Sequence, residues 1–250
     1  MTGVYKIADH LVQFDTLYQD THDLCRDYAC TGNAEFVVST AQSDIDFERA
    51  ESLRMRIMEG HGQDFDYSDG YLETLAVYRK LCNRLINHDI LLIHGSCIAV
   101  DDYGILFVAL SGTGKSTHTR NWRKLFGSRV FMVNDDKPLL NVATMQVYGT
   151  PWDGKHHLST NINVPLRHIV LLNRAPENSI EPIPAKDALN RMMTHVYMPS
   201  VPLLKVATFQ LLGRLMDKCK FHSLGCNKDI DSARVALQGL ELKPVIHIPV

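Results

Sequence analysis

Near the start of the chain, apolar and polar positions alternate in Val4-Tyr-Lys-Ile and Val12-Gln-Phe, and again in Glu35-Phe-Val-Val-Ser, which predicts three short strands. Gln19 to Tyr28 reads as a short helix and Asp44 to Met58 as a longer, charged one. The stretch from Gly60 to Gly70 is dense in turn formers and predicts a linker or exposed loop. Beyond it the period changes. Leu75, Tyr78, Cys82 and Leu85 recur at spacings of three and four, so a helix is expected from Tyr71 to about Asn87, capped by Ser68 or Asp69 and laid on a sheet by its apolar face.

The rest of the chain alternates strand-like and helix-like runs. Leu91-Leu-Ile and Ser96-Cys-Ile-Ala-Val predict strands, and Asp101-Asp-Tyr-Gly104 a hairpin turn into a third, Ile105 to Leu110. Val130 to Val133, Met145 to Tyr148 and Arg167 to Arg174 follow as further strands. Lys186 to His195, Lys205 to Lys218 and Ile230 to Leu240 read as helices, the last capped by Asp229 or Asp231. This pattern predicts an α/β fold with a mixed central sheet and flanking helices. Two regions are expected, a small N-terminal α/β region over 1–67 and a main domain over 68–250.

The strand Ile105-Leu-Phe-Val-Ala-Leu110 runs directly into Ser111-Gly-Thr-Gly-Lys-Ser-Thr117. A glycine-rich turn there bares backbone N–H groups at the start of a helix, where the helix dipole and unpaired donors favour a polyphosphate. Ser111, Gly112, Thr113, Gly114, Lys115, Ser116 and Thr117 are the expected nucleotide-binding residues. Lys115 reaches the outer phosphates as a point charge, and the Ser116 hydroxyl is placed to hold Mg²⁺. The full pattern, G-x-x-x-x-G-K-[ST], has glycine where this chain has Ala109, a position that only begins the turn.

About twenty residues on, the apolar run Val130-Phe-Met-Val133 ends in Asn134-Asp135-Asp136. Carboxylates at the C-terminal end of a parallel strand gather beside the phosphate loop of an open α/β sheet. One acid holds the metal and the other takes the proton of an attacking hydroxyl, the second requirement of phosphoryl transfer. Asp101 and Asp102, at the far end of the preceding strand, read as solvated turn residues. In Gly149-Thr-Pro-Trp152-Asp-Gly-Lys155, Lys155 is able to neutralise phosphate charge and Trp152 to wall the site; a core-filling Trp and a solvated Lys fit the same letters.

Leu110-Ser-Gly-Thr-Gly-Lys-Ser-Thr with the downstream Asn-Asp-Asp resembles the kinase motifs of the HPr kinase/phosphorylase and phosphoenolpyruvate (PEP) carboxykinase superfamily, and more closely its small HPr-kinase-related bacterial members. Leu92-Ile-His94-Gly-Ser-Cys-Ile-Ala-Val, Tyr148 to Lys155 and Leu158 to Leu166 agree with it, so the resemblance covers roughly residues 70 to 240. It implies a PEP carboxykinase-like P-loop fold, ATP and Mg²⁺ as cofactors, a place near the phosphates for His94, and metal and base roles shared by Asp135 and Asp136, with Ser116 and Asp135 as metal ligands. It also implies a multimer, and a protein or peptide serine or a small hydroxylated metabolite as phosphoryl acceptor. The Glu-x-Arg-Gly-x-Gly signature of true HPr kinases is replaced here by Gly149-Thr-Pro-Trp-Asp-Gly-Lys, which bears on the reverse, phosphorolytic reaction. No counterpart of the longer carboxykinases' oxaloacetate residues is found.

Composition narrows the picture. Hydrophobic residues are 45% and charged residues 22%, the balance of a globular chain. A net charge of −2 gives no basic field for nucleic acid. No run reaches the length of a membrane span, and the first residues lack the segments of a signal peptide, so a cytoplasmic protein with reduced thiols is expected. Cys219, His222 and Cys226 have irregular spacing for a zinc cluster and read instead as a strand and turn; the adjacent His156 and His157 share one metal only within a loop. The expected function is Mg-dependent transfer of the γ-phosphoryl group of ATP to a hydroxyl. The alternatives are a nucleotide-binding regulator without turnover, and a phosphatase or phosphorolysis activity. The loop reads phosphates and not the base, so GTP and pyrophosphate fit it as well.

Overall fold

The computed structural model describes residues 1–58, 60, 67–154 and 156–242. Most of the linker expected between Gly60 and Gly70 lies outside them. The chain forms two compact units, Met1–Leu85 and Ile86–Val250.

In the first unit, β1 (Thr2–Ile7) and β2 (His10–Asp15) form an antiparallel hairpin. Its two-residue turn, Ala8-Asp9, takes positive φ at both positions, the twist that suits tight hairpins. α1 (Asp20–Leu24) leads towards β3 (Phe36–Ser39), which pairs parallel with β2, and α2 (Gln42–Met58) and α3 (Asp69–Leu85) complete the unit. α3 buries Leu72, Ala76, Val77 and Leu81 and packs on α1, α2 and β3. Glu73, fully buried on this helix, accepts the N–H groups of Leu17 and Tyr18 at 2.7 and 2.8 Å and the Thr40 hydroxyl at 2.5 Å. Three donors on one carboxylate offset the cost of burying its charge. These contacts put α3 in the first unit, so the boundary falls at Leu85/Ile86 and not at 67/68.

The second unit is built on a nine-stranded mixed sheet with helices on both faces. Its elements in chain order are β4 (Ile90–Leu92), β5 (Ser96–Val100), β6 (Tyr103–Val108), α4 (Lys115–Phe126), β7 (Val130–Asn134), β8 (Leu139–Asn141), β9 (Gln146–Tyr148), β10 (Asn163–Arg174), β11 (Ser179–Pro182), α5 (Ala185–Met192), α6 (Pro202–Lys218), β12 (Lys220–Cys226) and α7 (Asp231–Gly239). The order is β4-β8-β9-β10-β6-β5-β7, with β12 parallel to β10 and β11 antiparallel to β12. β8 and β11 are strands the sequence pattern did not predict; three or four residues are too few to show a period.

Strict alternation along the central strands divides their side chains between two cores. Leu106, Val108, Ile169 and Leu171 face Ala188, Met192, Leu212 and Leu215 of α5 and α6. Ile105, Phe107, Val170 and Leu172 face Trp122 and Phe126 of α4 and Ala233, Ala236 and Leu237 of α7. Trp122 is fully buried, its indole N–H donating to His118 Nε2 at 2.9 Å. Among the described residues no helix is long and apolar enough to cross a membrane.

Three strands set up the site. β5 runs antiparallel to both of its neighbours, β6 and β7, so β6 and β7 point the same way and their C-terminal ends meet the N-terminal end of β5. The acids were expected to follow a parallel strand; the neighbour of β7 is instead the antiparallel β5. The β5–β7 pairing also contains a bulge. Ile98 pairs with Met132 but Cys97 pairs with Asn134, leaving Val133 as an extra residue. Such an insertion turns every later side chain of the bulged strand to the opposite face.

Candidate active site

The segment from Ala109 to Gly114 leaves β6 as a turn in which Gly112 and Gly114 have φ of +73° and +124°. Residues with a Cβ rarely adopt these angles, so the Gly-x-Gly spacing is what lets the backbone bend into a loop before α4. α4 begins at Lys115, and the Lys115 ammonium folds back to donate to the Ala109 carbonyl at 2.8 Å. Burial pulls its pKa below the ordinary lysine value, while Asp136 and Asp135 pull it back up.

The acids arrive from the other side of β5. Cys97, the partner of Asn134, faces the α5/α6 core, and so does Val133. Two consecutive residues therefore point to one face because of the bulge, and Asp135 is turned towards the α4 face, where it lines the same cavity as Ser116. Asn134 is fully buried and ties the turn together. Its Oδ1 accepts the N–H groups of Asp136 and Lys137 at 2.8 and 2.6 Å, and its Nδ2 donates to Thr150 O and Oγ1 at 3.1 and 3.0 Å.

Ser96, the first residue of β5, stands between the two strand ends. Its hydroxyl lies 2.9 Å from the Asp135 carbonyl and 3.1 Å from Asp135 Oδ1. Burial raises the Asp135 pKa, and the Ser96 and Ser116 hydrogen bonds work against that rise. Asp136 is more exposed. It meets His94 Nδ1 at 3.2 Å and Lys137 Nζ at 3.6 Å. His94 lies in the turn ahead of β5, where its N–H donates to His195 O at 2.6 Å and the Gly95 N–H donates to Asp136 O at 3.0 Å. Burial lowers the His94 pKa and the Asp136 carboxylate opposes that shift.

These groups open into one cavity of about 380 Å³. Of the residues expected from the sequence, His94, Ser111, Gly112, Gly114, Lys115, Ser116, Thr117, Asp135 and Asp136 all line it. Thr113 does not; it faces a second cavity on the reverse side of the loop. Lys155 lies outside the described residues. Trp152 is buried and is not among the residues lining the first cavity, so it fills the core and does not wall the site. His156 and His157 diverge: His156 lines the cavity, whereas His157 turns outward to Asp153 at 3.0 Å. Cys219 precedes β12, which carries His222 and Cys226, and all six cysteines are free thiols. Asp101 pairs with Arg129 at 2.6 Å in the β5–β6 turn, away from the loop.

Sequence reasoning did not assign roles to Ser96, Asn134 or His195. Ser96 and Asn134 sit next to recognised residues, yet their task is visible only once the strand order brings β5 between the loop and the acids. His195 comes from a distant segment and carried no local signal. No protein-family model matches this chain, and a search of curated proteins finds no match.

Proposed function

We propose that the second unit is an ATP-dependent phosphotransferase of the HPr-kinase-related, PEP carboxykinase-like P-loop type, acting on a hydroxyl acceptor in the cytoplasm. The observation that carries this reading is the convergence of a glycine-rich loop, its lysine and two carboxylates of unlike surroundings on one cavity. A phosphate site alone needs only the loop; the paired acids add what transfer to a hydroxyl requires.

The two acids differ in a way that divides the labour. Asp135 is buried and close to Ser116, an oxygen pair suited to a hard cation. Mg²⁺ is such a cation. This cation commonly rests on one or two carboxylates, a hydroxyl and the phosphates themselves. Ser116 and Asp135 would hold Mg²⁺, which would neutralise phosphate charge when bound. Asp136 takes the proton of the attacking hydroxyl, and His94 at 3.2 Å orients it. The new O–P bond forms as the bond from Pγ to the β–γ bridging oxygen breaks, and ADP carries away the electron pair. Lys115 stabilises the charge that gathers on the transferring group.

The test is Lys115→Ala. Mg-ATP at saturating concentration raises the melting temperature of the wild-type chain, because a ligand that binds only the folded state stabilises it in proportion to the logarithm of its concentration over Kd. The variant should lose this shift and all phosphoryl transfer. An undiminished shift in the variant would show that the loop is not the nucleotide site.

A further inference from the structure

The loop has two sides, and both are hollow. Ser111, Gly112 and Gly114 line the cavity shared with the acids, while Ala109, Leu110 and Thr113 line a second cavity of about 410 Å³. The second one lies at the C-terminal ends of β6 and β10 and is closed by α5 and the turn after it. Its floor is apolar, from Val108 and Leu171 on the α5/α6 face. Arg174 and Arg191 are among its lining residues, and no Asp or Glu is.

Each arginine is held in place by neutral oxygens. Arg174 Nη2 donates to Gly112 O at 2.5 Å, on the loop itself. Arg191, partly buried on α5, donates from Nη2 to Asn173 Oδ1 at 3.0 Å and from Nη1 to Ser223 Oγ at 3.4 Å. Among the described residues neither guanidinium is paired with a carboxylate. A guanidinium has five donors, so both keep several free after these bonds. His195 adds a third nitrogen-bearing side chain to the wall; burial holds its pKa down to about 4, so at neutral pH it contributes a dipole and not a charge.

Two oriented, charge-unmatched guanidinium groups above an apolar floor are a complementary surface for an anion attached to a small apolar body. We infer that this second cavity is an anion site, separate from the nucleotide site, for a small molecule bearing a carboxylate or phosphate group. The forked geometry of each arginine suits either group, since both present two oxygens to parallel N–H donors. The inference does not depend on the loop binding nucleotide.

Isothermal titration of the full chain with inorganic phosphate and, separately, malonate tests it and tells the two chemistries apart. In Lys115→Ala, where phosphate can no longer settle on the loop, at least one of the two probes should bind saturably with unit stoichiometry. Adding Arg174→Gln or Arg191→Gln should weaken that binding by about tenfold or more, the factor carried by a lost charge-assisted hydrogen bond. Arg174 is exposed, so its replacement leaves the fold intact, as circular dichroism will report. Should Lys115→Ala fail to fold, the same comparison is made in the wild-type background, where Arg174→Gln should weaken one phosphate-binding event by the same factor and leave the other unchanged. Binding of neither probe, binding insensitive to both arginines, or complete displacement of the probe by Mg-ATP overturns the inference. A persistent Mg-ATP melting shift in Lys115→Ala would sink the nucleotide reading and leave this one standing.

Discussion

Asn134 offers the sharpest link between fold and site. Replacing it with Ala removes the acceptor of two backbone N–H groups, Asp136 and Lys137, and the donor to the Thr150 carbonyl and hydroxyl. A buried polar group left without a partner costs about 1–3 kcal/mol. Asp136 and Lys137 are only half-buried and can recruit water, and the Thr150 hydroxyl still donates to Lys137 O at 3.0 Å, whereas the buried Thr150 carbonyl is left without a partner. The expected loss is therefore about 2–4 kcal/mol. For a unit of this size that lowers the melting temperature by roughly 5 to 15 °C. Asn134→Asp keeps the shape and still accepts the two N–H groups, but its second oxygen then faces the Thr150 carbonyl as a buried charge, so it should be at least as damaging. Differential scanning calorimetry of both variants gives the size of the loss, and Mg-ATP turnover measured well below the new melting point reports whether the acid turn has moved. If Asn134→Ala melts within about 2 °C of wild type, the hydrogen bonds do not hold the turn and the argument built on them fails.

Three further outcomes follow from the same geometry. Asp135→Asn should weaken Mg-ATP binding together with turnover, while Asp136→Asn should leave affinity nearly intact and lower turnover by roughly two to four powers of ten; full turnover in both would reduce the acids to a structural turn. Burial holds the His118 pKa down to about 3, against 6.5 for a free histidine, so between those values the unfolded chain binds a proton that the folded chain refuses. Stability is then fully present above about pH 6.5 and falls on acidification by about 1.4 kcal/mol per pH unit from this residue, a slope that denaturant titrations should find reduced in His118→Gln. In the first unit, Glu73→Ala orphans two N–H groups and a hydroxyl and should cost about 2–4 kcal/mol; proteolysis of its helices at unchanged rate would contradict this.

What could be read from the letters was what local periodicity and local spacing encode. The strand before the loop, the loop with its two glycines and the run ending in Asn134-Asp135-Asp136 are each contiguous, so they were visible. The boundary between the units was not, because the Gly-rich stretch before α3 imitates a domain linker while the partners of α3 lie as far back as Leu17. Trp152 was ambiguous for a related reason: the same Pro and Gly turns can expose an indole or bury it, and only the packing against the rest of the unit decides. Ser96 reaches the site, and His195 and Arg174 the second cavity, through strand order and helix placement, which are long-range facts. The orientation of Asp135 is the most telling omission, since the alternation rule applied to Val130–Asp135 without the bulge puts its carboxylate on the wrong face of the sheet.

That extra residue changes how mutation acts on this chain. Val133 pairs with nothing on β5 but is fully buried in the α5/α6 core, so an apolar residue of similar volume can take its place. Its presence as a residue is another matter. Deleting it would restore a regular ladder, leave every acidic letter in the sequence, and yet carry Asp135 away from Ser116 by half a pleat repeat. The information that aims the carboxylate is thus stored as chain length, in a position that otherwise asks only for a buried apolar side chain. A descendant that has lost this one codon would keep both aspartates and the complete Gly-Thr-Gly-Lys-Ser-Thr string, and a comparison of motifs alone would count it as intact.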